Sequence, residues 1–243
     1  MGSLSALLLA TPLFGLSLTP PAVGLAPDAL VTALPAPAAI EARIEGAPAL
    51  TAALPPLQAE RGEMAAYAET LRERSSVASI HRPLGISTWA AMTGTLILGF
   101  IQYNNLYGFF ADAADTPCVT GDAVFGQGQC YGTPWIHLTS AMVTTALYGA
   151  TFVTSLLMPD PGDLEEGDSG FAGNLRMHKL LRWIHFGGMV AQIAMGFLVA
   201  QSDAFGIDRA NDYGTLQLLG TVHMGLGLVT WGALSWAAAL MVF

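Results

Sequence analysis

Four long stretches without a charged residue constrain this chain more than any other feature of its sequence. No Asp, Glu, Lys or Arg occurs in residues 83–111, 131–159, 183–202 and 213–243. Each stretch reaches or exceeds the roughly 20 residues with which a helix crosses a hydrocarbon layer about 30 Å thick. Only 11% of the residues are charged, against roughly a quarter in an ordinary soluble domain. The sequence therefore predicts an all-α membrane protein, a four-transmembrane-helix bundle within residues 81–243. It excludes a nucleic-acid binder, which needs a basic surface.

The N-terminal part differs in composition from the four spans. Residues 4–18 form an apolar block of signal-peptide length, but no Lys or Arg precedes it. Residues 1–24 are therefore either a signal peptide or an N-terminal hydrophobic helix. The Pro/Ala-rich N-terminal extension, residues 25–80, reads as a linker or a surface-draped tail. Within it, residues 57–75 mix charges and Ala at helical spacing, which predicts one short surface helix on or near the membrane.

The two cysteines, Cys118 and Cys130, lie in the polar loop between the first two spans. A disulfide bond between them would place this loop in an oxidising compartment, and the alternative is two free thiols. The chain contains no Cys-x-x-Cys-His segment. Covalent attachment of a c-type haem therefore has no support in the sequence.

Basic residues are concentrated on one face of the predicted bundle, here called side A, which holds the start of the first span and the loop between the second and third. Side A carries Arg72, Arg74, Arg82, Arg176, Lys179 and Arg182. The loops of the opposite face, side B, carry only Arg209. The positive-inside rule makes side A cytoplasmic, so the cysteine loop (residues 112–130) is periplasmic in a bacterial inner membrane. A cleaved signal peptide argues for the opposite orientation, whereas an uncleaved N-terminal helix that starts outside reconciles the signals.

All five histidines lie in or at the edge of a predicted span. An ionisable side chain inside a bilayer is costly, so it usually faces the bundle interior and serves a function. Because successive spans run in opposite directions, His81 and either His178 or His185 fall toward side A, while His137 and His223 fall toward side B. Alternate helices could thus hold one planar ligand near each face. Two haems b, with iron held by axial histidines, fit this arrangement.

One histidine exceeds the four ligands that two haems require. His185 lies within the apolar run of the third span, whereas His178 lies among basic residues at its edge. The expected iron ligands are His81, His137, His185 and His223. His178 remains open as the alternative to His185; whichever does not bind iron could contact a propionate, line a quinone pocket or relay a proton.

Two further groups of residues have a functional and a structural interpretation. Arg82, Lys179 and Arg182 either neutralise haem propionates through charge-assisted hydrogen bonds or serve as the ordinary positive-inside anchor. Small residues beside the histidines either leave room for a porphyrin or pack one helix against another. These small residues are Gly85, Gly187, Gly188, Gly220, Gly225 and Gly227.

Four segments carry these histidines and glycines. They are HRPLGISTWAAMTGTLILGF (81–100), WIHLTSAMVTTALYG (135–149), HKLLRWIHFGGMVAQIAMGFL (178–198) and LLGTVHMGLGLVTWG (218–232). In histidine depth and flanking glycines the chain resembles the membrane-embedded dihaem b-type cytochromes, in particular the cytochrome b561-like group. The resemblance implies one haem between alternate helices near each membrane face. It also implies transmembrane electron transfer, with soluble or multihaem cytochromes and quinone as candidate partners. The long Pro/Ala-rich tail, the cysteine loop and the fifth histidine depart from that pattern.

Two other classes of function stay open. A non-catalytic structural subunit of a respiratory or photosynthetic complex would need no cofactor, and it would leave the histidines unexplained. A histidine-lined metal or proton transporter would need carboxylates beside the histidines, and the charge-free stretches contain none. Any enzymatic activity would be quinol oxidation or quinone reduction at a haem edge.

Overall fold

The computed structural model describes residues 54–162 and 164–241, which fold into four long helices joined by loops. The helices are α1 (Leu54–Tyr107), α2 (Trp135–Leu156), α3 (Gly170–Ala200) and α4 (Tyr213–Ala239). No strand occurs in this part of the chain, and each helix is long and apolar enough to cross a membrane. The prediction of an all-α fold with four such helices is therefore confirmed. The signal peptide or hydrophobic helix predicted in residues 1–24, and residues 25–53 of the extension, lie outside the described residues.

Helix α1 is much longer than one membrane crossing requires. Its 54 residues rise about 80 Å, against a hydrocarbon layer of about 30 Å. The helix expected over residues 57–75 is present, but it is continuous with the first span instead of forming a separate surface helix. Good helix formers dominate residues 57–82. Pro83 removes only one backbone N–H, and the helix continues through it.

The loop between α2 and α3 ties the side A ends of two helices together. Arg74 on α1 donates a hydrogen bond of 2.6 Å to the carbonyl oxygen of Pro159. Lys179 on α3 pairs with Asp160 and, at 2.8 Å, with Glu165. The hydrogen bond from the Lys179 ammonium holds the pKa of the Asp160 carboxyl below its ordinary value. The charges of side A therefore stabilise the loop outside the apolar stretches.

Small residues bring α3 and α4 into close contact. Gly188 on α3 lies against Thr230 on α4, and Gly227 on α4 lies against the side-chain amide of Gln192. The same amide donates a hydrogen bond of 2.7 Å to the carbonyl oxygen of His223. Each of the four helices also contributes one buried side chain to a common core, and these are Met92, Tyr148, Met189 and Leu234.

The loop between α1 and α2 is closed by a disulfide bond between Cys118 and Cys130, as predicted. Asn105, fully buried near the end of α1, fastens this loop to the bundle. Its amide nitrogen donates to the carbonyl oxygen of Val124 at 3.0 Å, and its amide oxygen accepts from the Val124 N–H at 2.9 Å. Gln102 adds a hydrogen bond of 2.9 Å to the carbonyl oxygen of Gln129. The cysteine loop is thus an ordered part of the fold.

Replacing Asn105 with Ala should lower the free energy of unfolding by about 1–3 kcal/mol, because two backbone groups of Val124 lose their partner. Thermal unfolding of the purified protein measures the change. Asn104→Ala is the matched control, since no side-chain hydrogen bond to a described residue is found for Asn104. Equal destabilisation by the two substitutions would contradict the anchoring role of Asn105.

Candidate functional site

Four of the five histidines form two pairs, each pair joining alternate helices. His81 on α1 lies beside His178 on α3, with ring centroids 6.5 Å apart and ring planes at 84°. His137 on α2 lies beside His223 on α4, with centroids 6.3 Å apart and planes at 88°. The first pair lies toward side A and the second toward side B, as the directions of the helices require. The structure thus brings together the sets that were expected to bind one planar ligand each.

The ring separations leave room for a metal ion between the two imidazoles of each pair. A metal–imidazole bond is about 2 Å long, so two rings that face one ion have centroids about 6 Å apart. Aromatic rings in simple packing contact have centroids about 4.5–7 Å apart. The distances therefore agree with both interpretations, and at side A the surroundings of the ring nitrogens favour the first.

At side A, both imidazoles are held in the form that leaves Nε2 able to bind a metal. The Thr154 hydroxyl donates to the carbonyl oxygen of Thr151 at 2.8 Å, so Thr154 Oγ1 accepts from the Nδ1–H of His81 at 2.9 Å. The Nδ1–H of His178 donates to the carbonyl oxygen of Ala237 at 2.9 Å. A carbonyl can only accept, so the proton lies on Nδ1 and the lone pair on Nε2. Histidines that bind metals almost always donate from the other nitrogen in this way.

At side B, the histidine pair lines a cavity of about 680 Å³. The volume falls within the range of about 300–1,000 Å³ that is typical of cofactor sites. Apolar side chains from all four helices form most of its wall, and Thr133 and Arg209 line it from the side B loops. The Nδ1 atoms of His137 and His223 are buried, and neither has a hydrogen-bond partner among the described residues.

Two glycines allow the side B histidines to lie against neighbouring helices. A methyl group at Gly99 on α1 would be 3.1 Å from Cε1 of His137. A methyl group at Gly196 on α3 would be 3.3 Å from Cε1 of His223. Both distances are shorter than an ordinary carbon–carbon contact of about 3.5–4.0 Å. Alanine at either position would therefore push the ring away from its place.

His185, the expected fourth ligand, has a different environment. It is buried, and its Nδ1 lies 2.7 Å from the hydroxyl of Tyr148 on α2. Its ring packs edge-on against the Tyr148 ring rather than against another imidazole. The place beside His81 is taken by His178. The geometry therefore favours the alternative ligand of the third span over the one that its position in the apolar run suggested.

The basic residues expected to neutralise propionates divide into three environments. Arg82 is exposed. Lys179 is paired with two carboxylates of the α2–α3 loop. Arg182 donates to the carbonyl oxygen of Ser155 at 3.2 Å and lies over the ring of Trp183. On the other face, Arg209 lines the cavity and donates to the carbonyl oxygen of Ala200 at 2.7 Å.

Among the glycines noted in the sequence, most are explained by helix packing. Gly188 and Gly227 lie in the α3–α4 contact, Gly220 lies against Tyr103 and Tyr107, and a methyl group at Gly85 would be 3.9 Å from the Thr151 methyl group. No other described residue lies within 4 Å of the β-carbon position at Gly187 or Gly225. Residues that contact the histidines, and that sequence reasoning missed, include Gly99, Gly196, Thr154 and Tyr148.

An internal repeat in the sequence is the signal that could have found two of them. Gly99 follows His81 by 18 residues, and Gly196 follows His178 by the same interval, which is five helical turns. The α3 residues lie 97 positions after their α1 counterparts in both cases, as do Leu181 after Leu84 and Met189 after Met92. On this spacing His178 is the counterpart of His81, whereas His185 is the counterpart of Thr88.

The repeat also relates α2 to α4, where counterparts are separated by 86 positions instead of 97. His223 lies 86 positions after His137, and Ala237 lies 86 positions after Thr151. Thr151 and Ala237 are the two residues whose carbonyl oxygens contact the side A histidines, at 3.2 and 2.9 Å. The α1–α2 hairpin and the α3–α4 hairpin are therefore two versions of one unit, and each unit contributes one histidine to each pair.

No protein-family model matches the sequence, and no curated protein or solved structure matches it.

Proposed function

We propose that this protein is a membrane-embedded electron carrier that binds two haems b, each between two histidines from alternate helices. The observation that carries the proposal is the presence of two such pairs, with ring centroids 6.5 and 6.3 Å apart, one toward each end of the bundle. The repeat supports it independently, because it relates the members of each pair to one another.

The outer surface of the bundle supports a location in a lipid bilayer. Large apolar side chains on all four helices are more than half exposed, in stretches that carry no charge. They include Ile97, Met142, Phe197, Leu218 and Val229. A soluble monomer rarely exposes such a continuous apolar surface, whereas lipid chains would cover it. We therefore also propose that this protein is a multi-pass protein of the bacterial inner membrane.

The donor sets fit a haem better than a bare metal ion. No cluster of three or more His, Cys, Asp or Glu side chains that could hold a metal is found among the described residues. A tetrahedral zinc site needs three or four protein ligands, whereas a porphyrin supplies the four equatorial nitrogens and needs only two from the protein. When bound, haem iron with two axial histidines exchanges single electrons. A metal or proton transporter would need carboxylates beside these histidines, and the charge-free stretches of this chain contain none.

In this proposal the ligands are His81 and His178 at side A and His137 and His223 at side B. His178 replaces His185, which was expected from the sequence, because its ring lies beside His81 and its Nδ1–H is committed to a carbonyl oxygen. Arg209 would neutralise a propionate at side B, since it lines the cavity. The position of each histidine pair, on alternate helices and near one face of the bundle, supports the resemblance to the cytochrome b561-like group. Quinone or another cytochrome would exchange electrons at the two faces.

Replacing any one of these four ligands with Ala should leave about one haem b per chain in place of two. Haem is quantified as the pyridine haemochrome, together with oxidised-minus-reduced spectra of the purified protein. His185→Ala is the matched control and should keep both haems. Absence of haem from protein made with ample haem supply would overturn the proposal. Loss of the side A haem from His185→Ala but not from His178→Ala would restore His185 as the ligand.

Replacing Gly99 with Ala should weaken haem binding at side B by about 10-fold or more, as other changes beside metal ligands do. The physical reason is the crowding of His137 Cε1 by the added methyl group. Gly94→Ala is the control on the same helix, because no described residue outside its own backbone lies within 4 Å of its added methyl. Haem titration of the two apoproteins compares them, and equal affinity would contradict a role for Gly99.

The proposed orientation places side A in the cytoplasm and the cysteine loop in the periplasm. The excess of basic residues on side A and the disulfide in the loop both support it. Intact cells treated with a membrane-impermeant reductant and then an impermeant maleimide should label Cys118 and Cys130. A double Cys→Ser variant gives the background. Labelling that requires opened membranes would reverse the orientation.

A further inference from the structure

The two side A ligands differ in one contact, although the repeat makes them equivalent. Each ring lies with Nδ1 within hydrogen-bonding distance of a backbone carbonyl oxygen, that of Thr151 for His81 and that of Ala237 for His178. Only His81 has a second acceptor, the hydroxyl of Thr154 at 2.9 Å. The counterpart of Thr154 in the second unit is Leu240, which has no hydroxyl.

The direction of the Thr154 hydrogen bonds is fixed by the helix itself. Its hydroxyl proton is donated one turn back to the carbonyl oxygen of Thr151, at 2.8 Å. The oxygen can then only accept from His81, at the shorter of the two distances available to Nδ1. The acceptor therefore draws the Nδ1 proton of His81 and raises the basicity of Nε2, the nitrogen on the other side of the ring.

The side B histidines have no such hydroxyl beside Nδ1 in the part of the chain that the structure describes. Neither His137 nor His223 has a partner for Nδ1 among the described residues. Hydrogen bonding to axial ligands is one of the means by which a protein sets the reduction potential of a haem. A more basic axial nitrogen stabilises the ferric state over the ferrous state, which lowers that potential.

We propose that Thr154 is a positioning residue that, through His81, lowers the reduction potential of the side A haem alone. This inference rests on the proposed function, because it requires a haem between His81 and His178. The role belongs to the hydroxyl oxygen and not to the volume of the side chain, since the oxygen is the atom that His81 contacts.

The test is a spectroelectrochemical redox titration of the haem-loaded protein carrying Thr154→Val. One of the two midpoint potentials should shift in the positive direction while the other stays at its original value. Thr154→Ser retains the hydroxyl and should restore the original potential. Ser155→Ala is the matched control: Ser155 makes the same kind of bond, to the carbonyl oxygen of Phe152 at 2.6 Å, without contacting a histidine.

Two backgrounds identify the haem that responds. In His137→Ala, which retains only the side A haem, Thr154→Val should shift the remaining potential. In His178→Ala, which retains only the side B haem, it should have no effect. If Thr154→Val instead empties the side A site while Thr154→Ser fills both, the hydroxyl is required for binding haem and not for setting its potential, and the inference is overturned.

Several results would overturn the inference. Unchanged potentials in Thr154→Val would show that the hydroxyl does not act on the iron ligand. An equal shift in Ser155→Ala or in Thr154→Ser would assign the effect to α2 as a whole. If Thr154→Val gives no folded protein, Thr154→Ala removes the same oxygen, and the redox titration is made on that variant with the same expected shift. Failure of the proposed function itself is a separate result, since the unsubstituted protein would then contain no haem.

Discussion

An imidazole buried inside an apolar helical bundle costs free energy for each nitrogen that lacks a partner, and the arrangement of the four helices depends on how that cost is met. Burying an unpaired polar group costs roughly 1–3 kcal/mol in proteins. At side A the requirement is met on one nitrogen by hydrogen-bond acceptors of α2 and α4. These bonds join α1 to α2 and α3 to α4, so the rings also fix the rotation of each helix. The second nitrogen of each ring is left for a ligand that the two histidines would share.

The repeat explains why the histidines pair across the bundle. Two equivalent hairpins, packed side by side, place the first helix of one unit opposite the first helix of the other, and the second opposite the second. A histidine just before the apolar stretch of the first helix then meets its counterpart at side A, as His81 meets His178. A histidine near the start of the second helix meets its counterpart at side B, as His137 meets His223. Two sites of one kind thus arise from a single unit.

The sequence predicts the helices and the depth of the histidines better than it predicts what surrounds each ring. Charge-free stretches define the spans, and two cysteines in one loop indicate the disulfide. A span that is apolar on all sides carries little periodicity, however, so its rotation cannot be read from hydropathy. The contacts of Gly99 with His137 and of Thr154 with His81 depend on that rotation. The sequence did not predict that α1 is one continuous helix. The change from charged to apolar residues suggested a boundary there, but helix propensity stays high across it.

Departures from the repeat show where the two halves serve different purposes. His185 in α3 and Tyr148 in α2 form a hydrogen bond with each other. The repeat places Thr88 at the position in α1 that corresponds to His185, and Leu234 at the position in α4 that corresponds to Tyr148. The repeat preserves residues of two kinds: core residues such as Met92 and Met189, and residues that lie against the paired imidazoles, such as Gly99 and its counterpart in α3. Since two equal units would give the two members of each histidine pair similar surroundings, differences between those members come from such substitutions, as with Thr154 beside His81 and Leu240 at the corresponding position at the end of α4. The repeat does not relate side A to side B, and the two sites differ. The side A rings donate from Nδ1 to backbone carbonyl oxygens, whereas the side B rings line a cavity and have no hydrogen-bond partner for Nδ1 among the described residues.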